Sequence, residues 1–149
     1  MFNIALYQPD IPQNTAAIIR LCSCFDTTLE IIEPCGFHLS DKRLKRVAMD
    51  YLYQSKIITY KSYEDFLIKK KKSRIILMTT KAKKNYNNFK FNRRDTLLFG
   101  RESAGVPQTV HNNSHERLKI PLKKNTRSLN ISMAVAITLS EALRQNLNS

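Results

Sequence analysis

Hydrophobic residues come in short bursts along this chain, separated by polar stretches rich in Lys and Asn, and the bursts alternate between two spacings. The runs at 2–7, 28–33, 56–60, 74–80, 96–99 and 117–122 are short, apolar and partly β-branched, which predicts strands. The run Arg74-Ile75-Ile76-Leu77-Met78 carries apolar residues without alternation, as in a strand covered on both faces. Between these runs the spacing becomes helical. Residues 12–25 place Ile18, Leu21, Cys22 and Phe25 on one stripe, 63–72 form a second helix, and a short helix follows Pro107. Residues 41–46 are a short basic helix or loop, 81–94 read as a polar, Asn-rich loop, and a long helix runs from about 128 to 146. Strands alternating with helices predict an α/β fold, a mainly parallel sheet with helices on both faces. No repeat, Gly/Ser linker or change of composition divides the chain, so residues 1–149 are expected to form a single domain.

The last helix is apolar on two sides. Ile131, Ala134, Val135, Leu139, Ala142 and Leu143 share one face, and Met133, Ala136 and Ile137 lie opposite. Such a helix is covered twice, either by other helices of its own chain or by a second subunit.

Composition narrows the function classes. Charged residues make up 25% and hydrophobic residues 42% of 149, an ordinary water-exposed globule. No apolar run is long enough to span a bilayer, and the N-terminus lacks the features of a signal peptide, so a cytoplasmic protein is expected. The formal net charge of +13 points to a polyanionic partner, most simply nucleic acid. Three cysteines carry no disulfide framework. Cys22 and Cys24 point about 200° apart on a helix and cannot grip one ion, so no metal site is expected. His38, His111 and His115 read as surface or capping residues, and the lysines at 69–72 as the solvated end of a helix.

Several familiar chemistries are missing. There is no glycine-rich dinucleotide loop after the first strand, no P-loop and no serine elbow. Three segments remain, each at the end of an expected strand. The first holds Asn14, at the top of the buried stripe, and Arg20, which faces away from it. The second is Leu97-Leu98-Phe99-Gly100-Arg101-Glu102-Ser103-Ala104-Gly105-Val106-Pro107, with two of the three glycines in the chain. The third runs from Ile120 through Ser128 and Asn130 into the last helix. Ligands of open α/β sheets bind outside the carboxyl ends of strands, where all three segments can meet.

Six ordered stretches, from "NIALYQPDIPQNTAAIIRLC" through "IIEPCGF", "DKRLKRVAMDY", "TTK" and "LLFGRESAGVP" to "RSLNISMAVAI", resemble the SPOUT class of S-adenosylmethionine-dependent RNA methyltransferases. Within that class they are similar to the minimal group that 2'-O-methylates the wobble nucleotide of tRNA. The resemblance implies a C-terminal trefoil knot, a homodimer and S-adenosylmethionine held by backbone from three loops. It assigns cofactor contacts to Met78, Thr79, Gly100, Ile120, Leu122, Ser128 and Asn130, with Met78, Ile120 and Leu122 suited to adenine. Gly100 is expected to let the main chain approach the cofactor, and Gly105 to form the tight turn before Pro107.

The implied reaction is attack by a ribose 2'-oxygen on a sulfonium methyl group, without a metal. Arg20 is the implied catalytic residue. Guanidinium stays protonated, which favours a phosphate grip and alkoxide stabilisation over a base role. Glu102 is the candidate proton acceptor or partner of Arg20, and Asn14 fixes a loop or bonds the ribose. Relatives often carry tyrosine where this chain has Ser140, which leaves tyrosine-based proton transfer without its residue. Lys42, Arg43, Lys45, Arg46 and then Arg127 are the candidates for phosphates of a tRNA anticodon stem-loop. The competing readings are a 2'-O-methyltransferase of another RNA such as rRNA, and an inactive RNA-binding protein. The retained Asn14, Arg20, Glu102 and Asn130 argue against the inactive one.

Overall fold

The computed structural model describes residues 1–147. Seven strands form one sheet: β1 (Asn3–Tyr7), β2 (Thr28–Ile32), β3 (Ile57–Tyr60), β4 (Ile75–Met78), β5 (Lys84–Asn85), β6 (Thr96–Phe99) and β7 (Glu116–Lys119). Their order is β3-β2-β1-β6-β4-β7-β5, and every pairing is parallel. Helices α1 (Pro12–Cys24), α2 (Lys42–Ala48), α3 (Tyr51–Gln54), α4 (Tyr63–Lys69), α5 (Gln108–Asn113) and α6 (Ile131–Asn146) connect or follow them.

Alternate residues of the central strands sort onto two cores, which is why those strands read as continuous apolar runs. Ile4, Leu6, Leu29, Ile31, Ile76, Met78, Leu97 and Phe99 pack with α1, α2 and α6. Ala5, Tyr7, Ile32, Ile75, Leu77 and Leu98 pack with Tyr63 and Phe66 of α4 and Val110 of α5. Helices thus cover both faces, as expected.

The structure departs from the sequence reading in several places. In α1 the stripe is Thr15, Ala16, Ile18, Ile19 and Cys22, whereas Phe25 lies beyond the helix and is exposed. The basic segment is helical, with the Asp41 carboxylate accepting the Arg43 N–H at 2.8 Å as N-cap. Residues 81–94 are not simply a polar loop. They contain β5, a 3-10 turn at Tyr86–Asn88 and two core side chains, Phe89 and Phe91. Arg74 grips Asp95 through two bonds of 2.8 and 2.7 Å and stacks on Phe89. Gln145 of α6 accepts from Phe91 N–H and donates to Phe89 O, each at 2.9 Å. The strand expected at 117–122 ends at Lys119, which frees Ile120 and Leu122 from pairing.

Lys70 is also not a solvated helix end. It is buried and pairs with Glu30, which points from β2 into the second core and is fully buried. Tyr60 packs beside them, its hydroxyl pushed upward in pKa by burial and by the Glu30 charge. Removing one partner of such a pair strands the other charge. Lys70→Met is therefore expected to cost about 3–5 kcal/mol in urea unfolding, and Glu30→Gln together with Lys70→Met distinctly less.

Candidate active site

The carboxyl ends of β4, β6 and β7 open into one cavity of about 550 Å³. That volume suits a small organic ligand. Met78 and Thr79 reach it from the end of β4, and the Thr79 N–H donates to Leu118 O at 2.8 Å, so this strand end is tied to β7. Gly100 follows β6. Ile120, Leu122, Ser128 and Asn130 come from the connection between β7 and α6. All seven residues assigned to the cofactor therefore line one space. Asn14 and Glu102 line it too.

The glycine loop folds back on itself. Arg101 and Gly105 exchange backbone hydrogen bonds of 3.0 and 2.9 Å. Gly105 has φ +65°, a conformation that glycine adopts at little cost. A side chain at Gly100 would place its Cβ 2.7 Å from the Gly105 Cα and carbonyl carbon. The other end of its own loop thus excludes a side chain at Gly100, a constraint additional to the expected approach of the main chain to the cofactor.

Asn130 is the N-cap of α6. Its Oδ1 accepts the Ser132 N–H at 2.9 Å, and its Nδ2 donates to Asn14 Oδ1 at 3.0 Å. Both ends of the amide are engaged, which ties the start of α6 to the start of α1. Glu102 is half-buried, and its Oε2 accepts the Asp10 N–H at 2.9 Å. Burial, and then hydrogen bonding to the Asp10 carboxyl, raises the Glu102 pKa.

Arg20 does not line the cavity formed by its own chain. It lies six residues after Asn14, about 9 Å along the helix axis. It is exposed, with its guanidinium 5.0 Å from the centre of the Tyr51 ring on α3. α1 packs against both α2 and α3, so Arg20 shares this flank with the basic helix. Lys42, Lys45 and Arg46 are exposed there, while Arg43 is bidentate to Asp41 at 3.1 and 2.9 Å. That pairing holds the Asp41 carboxyl down to about 2. Arg127 is exposed in the connection before α6.

The SpoU rRNA methylase sequence profile matches residues 1–140. The chain belongs to this family. A tRNA (cytidine(34)-2'-O)-methyltransferase from Beijerinckia indica is 46% identical over 145 residues, covering 95% of this chain and 90% of the relative. The same-named enzyme of Escherichia coli K12 is 37% identical over 147 residues, covering 97% and 94%. A solved structure described as giving insight into 2-OH methylation of C/U34 on tRNA superposes with a TM-score of 0.95 at 34% identity, covering 100% of this chain and 98% of that one.

For a SpoU-family chain the cavity's chemistry is a fitting one. S-adenosylmethionine carries no phosphate, so a pocket without a glycine-rich phosphate cradle is no obstacle. Met78, Ile120 and Leu122 offer apolar contact, and Thr79, Ser128 and the loop backbone offer polar groups. Two features escaped the sequence reading, the placements of His111 and Lys81, whereas His115 caps as expected. His111 lines the cavity with a buried Nε2 that has no hydrogen-bond partner among the described residues, rather than lying on the surface. His115 does cap, its Nδ1 accepting the Ile75 N–H at 3.0 Å. Lys81 lines both this cavity and a smaller neighbouring one with Lys83, Lys84 and Arg117, a second basic group close to the site.

Proposed function

We propose that this protein transfers a methyl group from S-adenosylmethionine to the ribose 2'-oxygen of the tRNA wobble nucleotide, cytidine or uridine 34. The observation that carries this reading is the single cavity at the carboxyl ends of β4, β6 and β7, where Asn14, Glu102 and all seven cofactor candidates meet. When bound, S-adenosylmethionine supplies a methyl group already activated by its sulfonium. The chain's own work is to orient the 2'-hydroxyl in line and to take its proton. Glu102 is the proton acceptor in this reading, and Asn14 and Asn130 hold the two loops that frame it.

Arg20 lies outside its own cavity, so we assign it to the cavity of a second copy. Met133 is 60% and Ile137 37% exposed on α6, whose first turn lines the cavity, and Ile11 and Leu129 are exposed at its rim. This apolar surface beside the site supports a homodimer with Arg20 crossing between subunits. Lys42, Lys45 and Arg46 on the Arg20 flank, and Arg127, then meet phosphates of the anticodon stem-loop.

The test is methylation in vitro. The purified protein, S-adenosylmethionine and total tRNA from a strain lacking the gene are incubated with EDTA, and nucleosides are read by mass spectrometry. The expected product is 2'-O-methylcytidine or a 2'-O-methyluridine derivative, mapped to position 34. Methylation of rRNA fragments with none on tRNA would overturn the substrate assignment, and methylation of neither would overturn the activity.

A further inference from the structure

The loop between β1 and α1 and the loop after β6 meet through a pair of carboxyls, Asp10 and Glu102, that are 92 residues apart in sequence. The contact has several anchors. The Asp10 N–H donates to Glu102 Oε2 at 2.9 Å, and the Ser103 hydroxyl donates to Asp10 Oδ2. Arg101 Nη2 lies 3.5 Å from the same Asp10 oxygen. Gly36 presses on Asp10 from the other side: a Cβ there would sit 2.9 Å from Asp10 Cα, and the Gly36 N–H donates to Pro9 O at 3.0 Å.

One oxygen of each carboxyl remains. Asp10 Oδ1 and Glu102 Oε1 are both buried, and neither receives a hydrogen bond from any donor elsewhere among the described residues. Two buried carboxyl oxygens satisfy each other only with a proton between them. We propose that Asp10 is a positioning residue for Glu102, holding its carboxyl on the cavity wall and sharing the proton that Glu102 takes from the ribose 2'-hydroxyl. The inference rests on the reading of Glu102 as the proton acceptor. In the transfer, the 2'-O–H bond breaks as the O–CH3 bond forms. The S–CH3 bond breaks with its electron pair left on sulfur, and the proton goes to Glu102, held against Asp10.

The electrostatics agree with this division. The hydrogen bond to Glu102 lowers the Asp10 pKa, helped by Ser103 and Arg101, while burial and the Asp10 carboxyl raise that of Glu102. Of the two carboxyls, Glu102 therefore holds a shared proton the more tightly, and it accepts the ribose proton from the state in which both are ionised. Other ionisable groups near the pair among the described residues are Arg101, beside Asp10, the Cys35 thiol, which burial pushes up to about 11, Glu33 beyond it, and His111 and Lys81, which line the same cavity as Glu102. A carboxylate with raised proton affinity is a stronger base once it is ionised.

The experiment is a pH series of single-turnover methyl transfer from pH 5 to 8 on the full-length protein, with Asp10→Asn and Glu102→Gln. Wild type is expected to lose rate on the acid side as Glu102 becomes protonated, and Glu102→Gln to fall by about 100-fold throughout. Asn at position 10 removes the anion and offers Glu102 a donor. The acid limb is then expected to move down by about one pH unit. An unmoved limb in Asp10→Asn, with Glu102→Gln impaired, overturns the role of Asp10 alone. A Glu102→Gln enzyme at wild-type rate, or a wild type with no acid limb, overturns Glu102 as acceptor. Carboxyl 13C NMR of protein labelled at glutamate gives a readout independent of activity and of whether Asp10→Asn folds. The Glu102 signal, identified by its loss in Glu102→Gln, is expected to titrate above the exposed glutamates. A midpoint at or below theirs overturns the shared proton.

Discussion

Gly100→Val is expected to abolish S-adenosylmethionine binding in calorimetry while leaving the far-UV circular dichroism of a folded protein. The cause lies inside the loop. Even a methyl group at position 100 comes within 2.7 Å of the Gly105 backbone, which is itself held by the two hydrogen bonds to Arg101. Backbone cannot rotate aside as a side chain can. The loop must open, and with it move Arg101, Glu102 and Val106, all on the cavity wall. A displacement of about 1 Å in a binding site is enough to cost roughly 100-fold. Gly105→Ala separates this cause from a general intolerance of the loop. At Gly105 a Cβ meets nothing within 4 Å, and the only penalty is the left-handed backbone at φ +65°, about 1–2 kcal/mol. A modest loss for Gly105→Ala beside complete loss for Gly100→Val is the expected pattern. Wild-type affinity in Gly100→Val would show that this loop does not shape the site.

The ease with which this fold is read from sequence has a physical limit that particular residues expose. Strands such as Ile75–Met78 and Thr96–Phe99 are legible because both faces are buried, so no polar residue interrupts the run. β5 is two polar residues at the sheet edge, too short for any period to show, and Phe89 and Phe91 after it are isolated apolar positions in a polar stretch. Glu30 looks like a solvent-facing position because nothing local reveals that Lys70, 40 residues later, meets it in the core. The site follows the same division. Its loops were legible from the sparse glycines and the strand ends. The Asn14–Asn130 bond and the Asp10–Glu102 contact span 116 and 92 residues, and only the closed fold brings them together. The position of Arg20 divides differently again. Helical periodicity placed it away from the core, as it is, but could not show that this direction also carries it away from its own cavity.

Arg20→Lys is expected to lose most of the single-turnover rate, about 100-fold, with little change in cofactor affinity. Lysine keeps the positive charge but loses the planar fork that grips a phosphate and a developing alkoxide together. The loss is expected to persist at alkaline pH, because deprotonating the new amine removes the charge without restoring the fork. A proton-acceptor role predicts the reverse. Lysine loses its proton far more readily than guanidinium, so activity would return as pH rises. Mixing variants then locates the residue. Arg20→Ala lacks the guanidinium and Gly100→Val lacks a working cofactor loop, so each alone is expected to be inactive. If Arg20 serves the cavity of the other subunit, a mixed pair contains one site with an intact loop from the first chain and Arg20 from the second. Random pairing makes half of the dimers mixed, each with one working site of two, so about a quarter of the wild-type rate should return. No recovery after verified subunit exchange would place Arg20 in the service of its own chain's cavity and overturn the crossed arrangement. Recovery is the expected outcome because Arg20 stacks on Tyr51 at the flank of α1, while the residue its own helix gives to the cavity wall is Asn14, six residues away.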